Sequence, residues 1–157
     1  MAQDKRLGCD PCMNPKPLIG VIHGASRQGR LSEMPAHWIY ALAGQRPDLE
    51  LELIDIGKHP MPFLHAATAP GASEAARRWD AVFDRLDGFI VVVPEEDMPD
   101  TAGSHGWATR ARDVFMHKPV GFVGFGKCAF ASAARVGFLR SHAMAPHMAP
   151  VSQIVDL

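Results

Sequence analysis

The residues best suited to chemistry stand together where the first apolar run of the chain gives way to a loop. Ile19-Gly20-Val21-Ile22-His23-Gly24-Ala25-Ser26-Arg27-Gln28-Gly29-Arg30-Leu31-Ser32 holds two loop glycines, a hydroxyl and two guanidinium groups within seven residues. Gly24 and Gly29 let backbone approach an anion closely, Ser26 offers a hydroxyl donor, and Arg27 and Arg30 offer charged donors. A helix starting after the loop adds its unpaired first N–H groups and the positive end of its dipole. Together these parts predict a phosphate cradle. The plain alternative is a strand-to-helix turn with solvated arginines, and the surrounding strand and helix pattern favours the cradle.

Other candidates carry less. Pro94-Glu95-Glu96-Asp97-Met98-Pro99-Asp100 places four carboxylates within six residues. A divalent cation on Glu95, Glu96, Asp97 and His105 would also need fixed geometry, so a solvated acidic loop is the preferred reading and no metal is expected. Cys9-Asp10-Pro11-Cys12 has CxxC spacing but lies in an irregular stretch, whereas a thioredoxin-like motif follows a strand and opens a helix. Zinc there would need help from Cys128 or a histidine. His59, His65, His117, His142 and His147 are scattered among loops and prolines and read as surface residues. No nucleophile elbow, Walker loop or complete dinucleotide fingerprint occurs, so serine hydrolase and P-loop readings lack support.

These loops need a frame, and the hydrophobic pattern supplies one. Runs of strand length at Leu18–His23, Leu49–Ile56 and Gly88–Val93 alternate with helical patterns at Ser32–Gln45 and Ser73–Leu86. A weaker helix is expected over Ala102–Met116, then a strand Val120–Phe125, a helix Phe130–His142 and a strand Val151–Val155. Strands separated by helices run parallel with right-handed crossovers. Leu49-Glu50-Leu51-Glu52-Leu53 alternates like an edge strand with one wet face, and Phe89-Ile90-Val91-Val92-Val93 is apolar on both faces like a central one. The order 2-1-3-4-5 satisfies both: an α/β, flavodoxin-like three-layer sandwich around a five-stranded parallel sheet. Ligands then belong at the carboxyl ends of strands one and three, where the order reverses. A receiver domain shares this order but needs acidic residues after its first strand, where His23-Gly24 stands. Ser32 is expected to cap the first helix, with Pro35 tolerated in its first turn, and Trp38 and Leu42 to pack on the sheet.

The chain has 157 residues, 47% of them hydrophobic, enough for one core and too few for two enzyme domains. Residues 1–17 read as an irregular lead-in and 18–157 as the domain. Sixteen Lys and Arg against seventeen Asp and Glu give a net charge of -1, so no general basic field holds a polyanion and no nucleic-acid partner is expected. The apolar run Phe89–Val93 is far short of the ~20 residues of a membrane span, and no run in the chain exceeds six. The absence of an apolar signal segment and the odd count of three cysteines predict a cytoplasmic chain without a disulfide framework.

Over most of residues 18–125 the sequence resembles the NADPH-dependent FMN reductase family, a flavodoxin-like group. The resemblance rests on Gly24-Ala25-Ser26-Arg27-Gln28-Gly29-Arg30 with Trp38, and continues through Leu51-Glu52-Leu53-Ile54-Asp55-Ile56, Pro60-Met61-Pro62-Phe63-Leu64, Ala76-Arg77-Arg78-Trp79, Asp87–Glu95 and Lys118–Val123. It implies a small-molecule oxidoreductase in which NADPH delivers hydride to FMN and the protein supplies no acid or base of its own. Gly24, Ala25, Ser26, Arg27, Gly29 and Arg30 would hold the FMN phosphate, and Pro94, Glu95, Glu96 and Asp97 would flank the ring. The family's Pro-Glu-Tyr-Asn is here Pro94-Glu95-Glu96-Asp97, and its following helix start is replaced by Thr101-Ala102-Gly103-Ser104-His105-Gly106-Trp107. Carboxylates near a flavin at ~8 Å cost about 2 kcal/mol per pair at an effective dielectric near 20, which weakens binding without forbidding it. Gly124-Phe125-Gly126-Lys127-Cys128-Ala129-Phe130 keeps part of the family's glycine-rich loop after strand four. Relatives usually continue beyond strand five into a last helix, and apolar surface left bare there predicts a homodimer or homotetramer. The rewritten ring loop leaves a second reading open: a degenerate flavodoxin-like domain without flavin activity, serving as an interaction or assembly module.

Overall fold

The computed structural model describes residues 15–23, 32–59, 72–94, 112–127, 129–143 and 147–156. Five strands, β1 (Leu18–His23), β2 (Glu50–Asp55), β3 (Gly88–Pro94), β4 (Pro119–Phe125) and β5 (Ala149–Asp156), form one sheet in the order β2-β1-β3-β4-β5. Every pair is parallel. The helices are α1 (Glu33–Ala43), α2 (Ala72–Asp84), the short α3 (Arg112–Phe115) and α4 (Ala129–Ala143), with a 3-10 turn at Ile56–Lys58 after β2. The expected elements are present to within a few residues. The helix expected over Ala102–Met116 is observed only as α3, since 101–111 lies outside the described residues.

Strand periodicity divides the core into two halves. In β3, Phe89, Val91 and Val93 join the larger cluster, with Ile22, Ile54, Phe122 and the helix residues Trp79, Phe83, Phe115, Val136 and Leu139. The intervening Ile90 and Val92 turn to the other face, where Val21, Val123 and the α1 residues Ala36 and Ile39 meet them. Helices α2, α3 and α4 therefore cover one face, while α1 serves the other, which is the three-layer arrangement.

The first helix does not sit on the sheet as its sequence suggests. Trp38 and Leu42 are each 49% exposed, and the buried positions are Ala36 and Ile39. Nearly every side of Glu33–Ala43 carries an apolar residue, so its period does not select a stripe; the small Ala36 and Ala43 allow the closest approach. Ser32 occupies the position before the helix in a helical conformation, but its hydroxyl makes no capping hydrogen bond, while its carbonyl accepts from Ala36 N–H at 3.0 Å. Pro35 does lie in the first turn.

The edge at which β1, β3 and β4 begin is fastened by polar contacts. Leu18 N–H donates to Asp87 Oδ2 at 2.8 Å, and Asp87 N–H returns a bond to the Leu18 carbonyl at 2.8 Å. Lys118 Nζ donates to the carbonyls of Phe83 at 3.1 Å and Asp84 at 2.8 Å, closing the end of α2, and lies 5.9 Å from the centre of the Phe89 ring. Burial pushes the Lys118 ammonium below its ordinary value, with the charges of Asp84 and Asp87 opposing. Gly88 starts β3 where a Cβ would stand 3.0 Å from Pro119 Cγ and 3.2 Å from the Pro119 carbonyl, so only glycine fits without displacing β4.

Four aromatic rings tie the helices of the larger face to β3. Phe83 is fully buried, with ring centres 4.4 Å from Trp79, 5.3 Å from Phe115 and 6.1 Å from Phe89. Its truncation leaves a cavity at the meeting point of α2, α3 and β3. Phe83→Ala is expected to lower stability by about 3–5 kcal/mol, read from the midpoint of urea unfolding at unchanged slope.

Candidate functional site

Parallel pairing brings all five carboxyl strand ends to one edge, and the chain's path gives that edge a natural opening. From β1 the chain crosses outward to β2, then returns past β1 to β3 and proceeds the other way, so the crossovers diverge between β1 and β3. The β1 to β3 pairing runs from Ile19 with Gly88 to Ile22 with Val91. The segments that follow His23 and Pro94 thus leave the sheet from neighbouring strands at this reversal. These are the two segments whose composition suggested chemistry.

Of the expected site residues, Pro94 is described: it is buried, ends β3 and pairs with Phe125 of β4. Gly24, Ala25, Ser26, Arg27, Gly29, Arg30, Glu95, Glu96 and Asp97 lie outside the described residues, as do Cys9, Cys12, His105 and Cys128. Among the described residues, no group of three or more His, Cys, Asp or Glu side chains is arranged to hold a metal ion.

Three polar residues that sequence reasoning did not assign to the site collect around its mouth. His23, Ser32 and Asp55 are the buried polar side chains among the described residues, at 3%, 1% and 7% exposure. His23 and Ser32 flank the 24–31 segment, while Asp55 ends β2 directly opposite His23 in the β1 to β2 register. Two residues before each, Val21 and Leu53 face the α1 side, so strand alternation turns His23 and Asp55 there as well. The His23 ring centre lies 6.3 Å from that of His37 on α1. Asp55 Oδ1 accepts from Gly57 N–H at 2.9 Å, holding the 3-10 turn that leaves the sheet. The available signal was phase: a histidine and an aspartate each occupy an inward position at the last residue of a strand. Burying polar groups is costly unless they are partnered, so their concentration here marks the edge as more than a set of turns.

The start of α1 is less purely an anion site than its sequence suggests. Glu33 in the first turn complements the positive helix end and competes with an anion for it, and Pro35 removes one N–H donor. A mononucleotide phosphate held here would rely on the loop glycines, Ser26 and the two arginines. A doubly wound sheet takes a mononucleotide at such a reversal of strand order, and the residue types of the 24–31 segment, glycines, a hydroxyl and two guanidinium groups, suit its phosphate.

Comparison with known proteins agrees with this architecture. The family model described as NADPH-dependent FMN reductase matches residues 17–156. An NAD(P)H-dependent FMN reductase from Nectria sp., ntnL, is 24% identical over 118 residues, which cover 69% of this chain and 59% of that protein. The chain thus spans somewhat under two thirds of that curated relative. Among solved structures, FerB, a flavoenzyme NAD(P)H:(acceptor) oxidoreductase from Paracoccus denitrificans, superposes with a TM-score of 0.66 at 20% identity, covering 87% of this chain and 76% of that one. An NADH:FMN oxidoreductase, EMOB in its apo form, gives 0.66 at 16% identity, covering 89% and 74%. An oxidoreductase from Corynebacterium diphtheriae gives 0.66 at 15%, covering 89% and 80%. These structures establish the flavodoxin-like fold. With the family model running through all five strands and both loops of the opening, the chain belongs to the NADPH-dependent FMN reductase family.

Proposed function

We propose that the chain is an NAD(P)H-dependent FMN reductase with NADPH as its hydride donor and a small molecule as final acceptor. Family membership across residues 17–156 is the observation that carries this reading. The reversal of strand order between β1 and β3 supports it, since doubly wound sheets bind ligands at that point. FMN, when bound, supplies the two-electron chemistry, so the protein's own work is positioning. Gly24, Ala25, Ser26, Arg27, Gly29 and Arg30 bind the phosphate. Pro94 and the backbone of Glu95, Glu96 and Asp97 would flank the ring, with room left for nicotinamide and then acceptor. No side chain serves as acid or base in this scheme.

The direct test is reconstitution. Protein mixed with FMN and dialysed should keep the flavin absorbance and oxidise NADPH. A colourless, inert product would reject the enzyme and leave the second reading, an interaction module, which the acidic Glu96 and Asp97 favour. Arg27→Ala should weaken FMN binding by about 1.5–3 kcal/mol, the worth of a charge-assisted hydrogen bond, as measured by quenching of flavin fluorescence. Unchanged affinity would remove Arg27 from the phosphate grip. Replacing Glu96 by Tyr and Asp97 by Asn together removes two charges from the loop proposed to flank the ring and should tighten FMN by about tenfold or more in the same assay, with the gain shrinking as salt is raised.

We place the protein in the cytoplasm as a homodimer or homotetramer without nucleic-acid or membrane partners. No described helix is long and apolar enough to cross a membrane. An open apolar groove of about 560 Å³ lies beside α1 on the face of β3, β4 and β5, with Ile39, Leu42, Ile90, Val123, Val151 and Val155 among its walls. Exposed apolar surface of this kind favours subunit contact. Light scattering should return a mass at least twice the 17.1 kDa of one chain, and a monomer at micromolar concentration would remove the oligomer.

A further inference from the structure

We propose that the apolar groove beside α1 receives the α1 helix of a second copy of this chain, each helix seated in the other copy's groove about a two-fold axis between helix and groove. This rests on the homodimer proposed above and names its interface. The groove, about 560 Å³, runs over β3, β4 and β5 on the face that α1 shares, and α1 is the helix on that face among the described residues. Ile90, Gly121 and Val123 lie along it, and Val151 and Val155 close its β5 side. A Cβ at Gly121 would meet Val151 Cγ2 at 3.5 Å, an ordinary contact. The fold of the chain therefore does not require the glycine, and the missing side chain leaves room for one from outside. Arg46, the charged wall residue, is held by Asp48 through Nε at 2.9 Å and Nη2 at 2.6 Å, so the groove calls for an apolar occupant.

The helix bordering the groove carries the matching surface. Leu42 stands in the groove wall, and Trp38 and Met34 follow at four-residue spacing along the same flank, turning outward toward the start of α1. Met34 is 80% exposed, and Trp38 and Leu42 are half exposed. Ala36 and Ile39 do the packing on the chain's own sheet, so this apolar stripe is left over. Helix and groove lie side by side on one face. A two-fold axis running between them, along the strands, turns one copy over the other, brings each α1 above the partner's groove, and lets the Trp38 and Leu42 flanks of the two helices meet at the axis. The area suffices. Met34, Trp38, Leu42, Val151 and Val155 expose on the order of 500 Å² between them, and a standard interface takes ~800 Å² from each partner, ~60% of it apolar. Because α1 runs back from the carboxyl strand edge, the paired helices are parallel, and both reversals of strand order open on the same side of the dimer.

The test uses protein without added flavin, so it stands apart from the flavin reading. Leu42→Asp and Val155→Asp, both at exposed positions, place a charge in the interface, and Gly121→Val fills the groove without one. Each should halve the mass found by light scattering at micromolar concentration and leave far-ultraviolet circular dichroism unchanged. Phe138→Asp, on α4 at the opposite face, should leave the mass as it is. The two-fold also sets a distance. With Cys9, Cys12 and Cys128 replaced by serine, Trp38→Cys should form a disulfide-linked dimer under mild oxidation, and Lys58→Cys, exposed after β2, should not. A multimer whose mass all three groove variants leave intact overturns this interface and keeps the homodimer proposed above. A monomeric parent chain overturns both, and a urea midpoint then lowered by Leu42→Asp assigns the groove to a segment of the same chain.

Discussion

All that follows in this molecule depends on parallel backbone pairing in the sheet. A parallel pair cannot be closed by a tight turn, so each strand must be followed by a crossover that returns the chain to the starting edge. This puts every strand's first residue at one edge and every last residue at the other. The starting edge is then free to be structural, with Asp87, Lys118 and Gly88 fastening strands and helix ends to one another. The opposite edge carries the loops, and only there do two crossovers diverge.

The same constraint explains the unequal faces. Strand alternation sends Phe89, Val91 and Val93 toward α2, α3 and α4, where bulky aromatic side chains fill the wide space beneath three helices. The reverse side meets α1 through small and branched residues, chiefly Val21, Ala36, Ile39 and Val123. Among the described residues α1 is the helix on that side, and the apolar groove lies beside it over β3, β4 and β5.

At the functional edge the electrostatics are local. A chain with net charge of -1 has no field to gather anions, so each phosphate must meet a small set of well-placed donors. In the proposed flavin complex the loop after β1 would be that set. In that complex the carboxylates after β3 would oppose flavin binding.

Strand number, sheet order and the reversal between β1 and β3 were legible in the chain, because apolar alternation and apolar runs are local signals of how many faces a strand buries. Glu50 and Glu52 marked β2 as an edge, and Phe89–Val93 marked β3 as central. The 24–31 segment was singled out by composition, because glycine, serine and arginine act through short-range geometry, and it lies outside the described residues. The rotation of α1 was not legible, since a helix that is apolar almost all round carries no phase, and its contact with the sheet chose Ala36 and Ile39 over Trp38 and Leu42. Nor was the burial of His23 and Asp55, two polar residues that become neighbours only when β1 and β2 pair. Lys58 and Trp79, twenty-one positions apart, line one small cavity only because folding brings the turn after β2 beside α2. Composition and periodicity act within a few residues of the chain; convergence of distant side chains requires packing, and packing is three-dimensional.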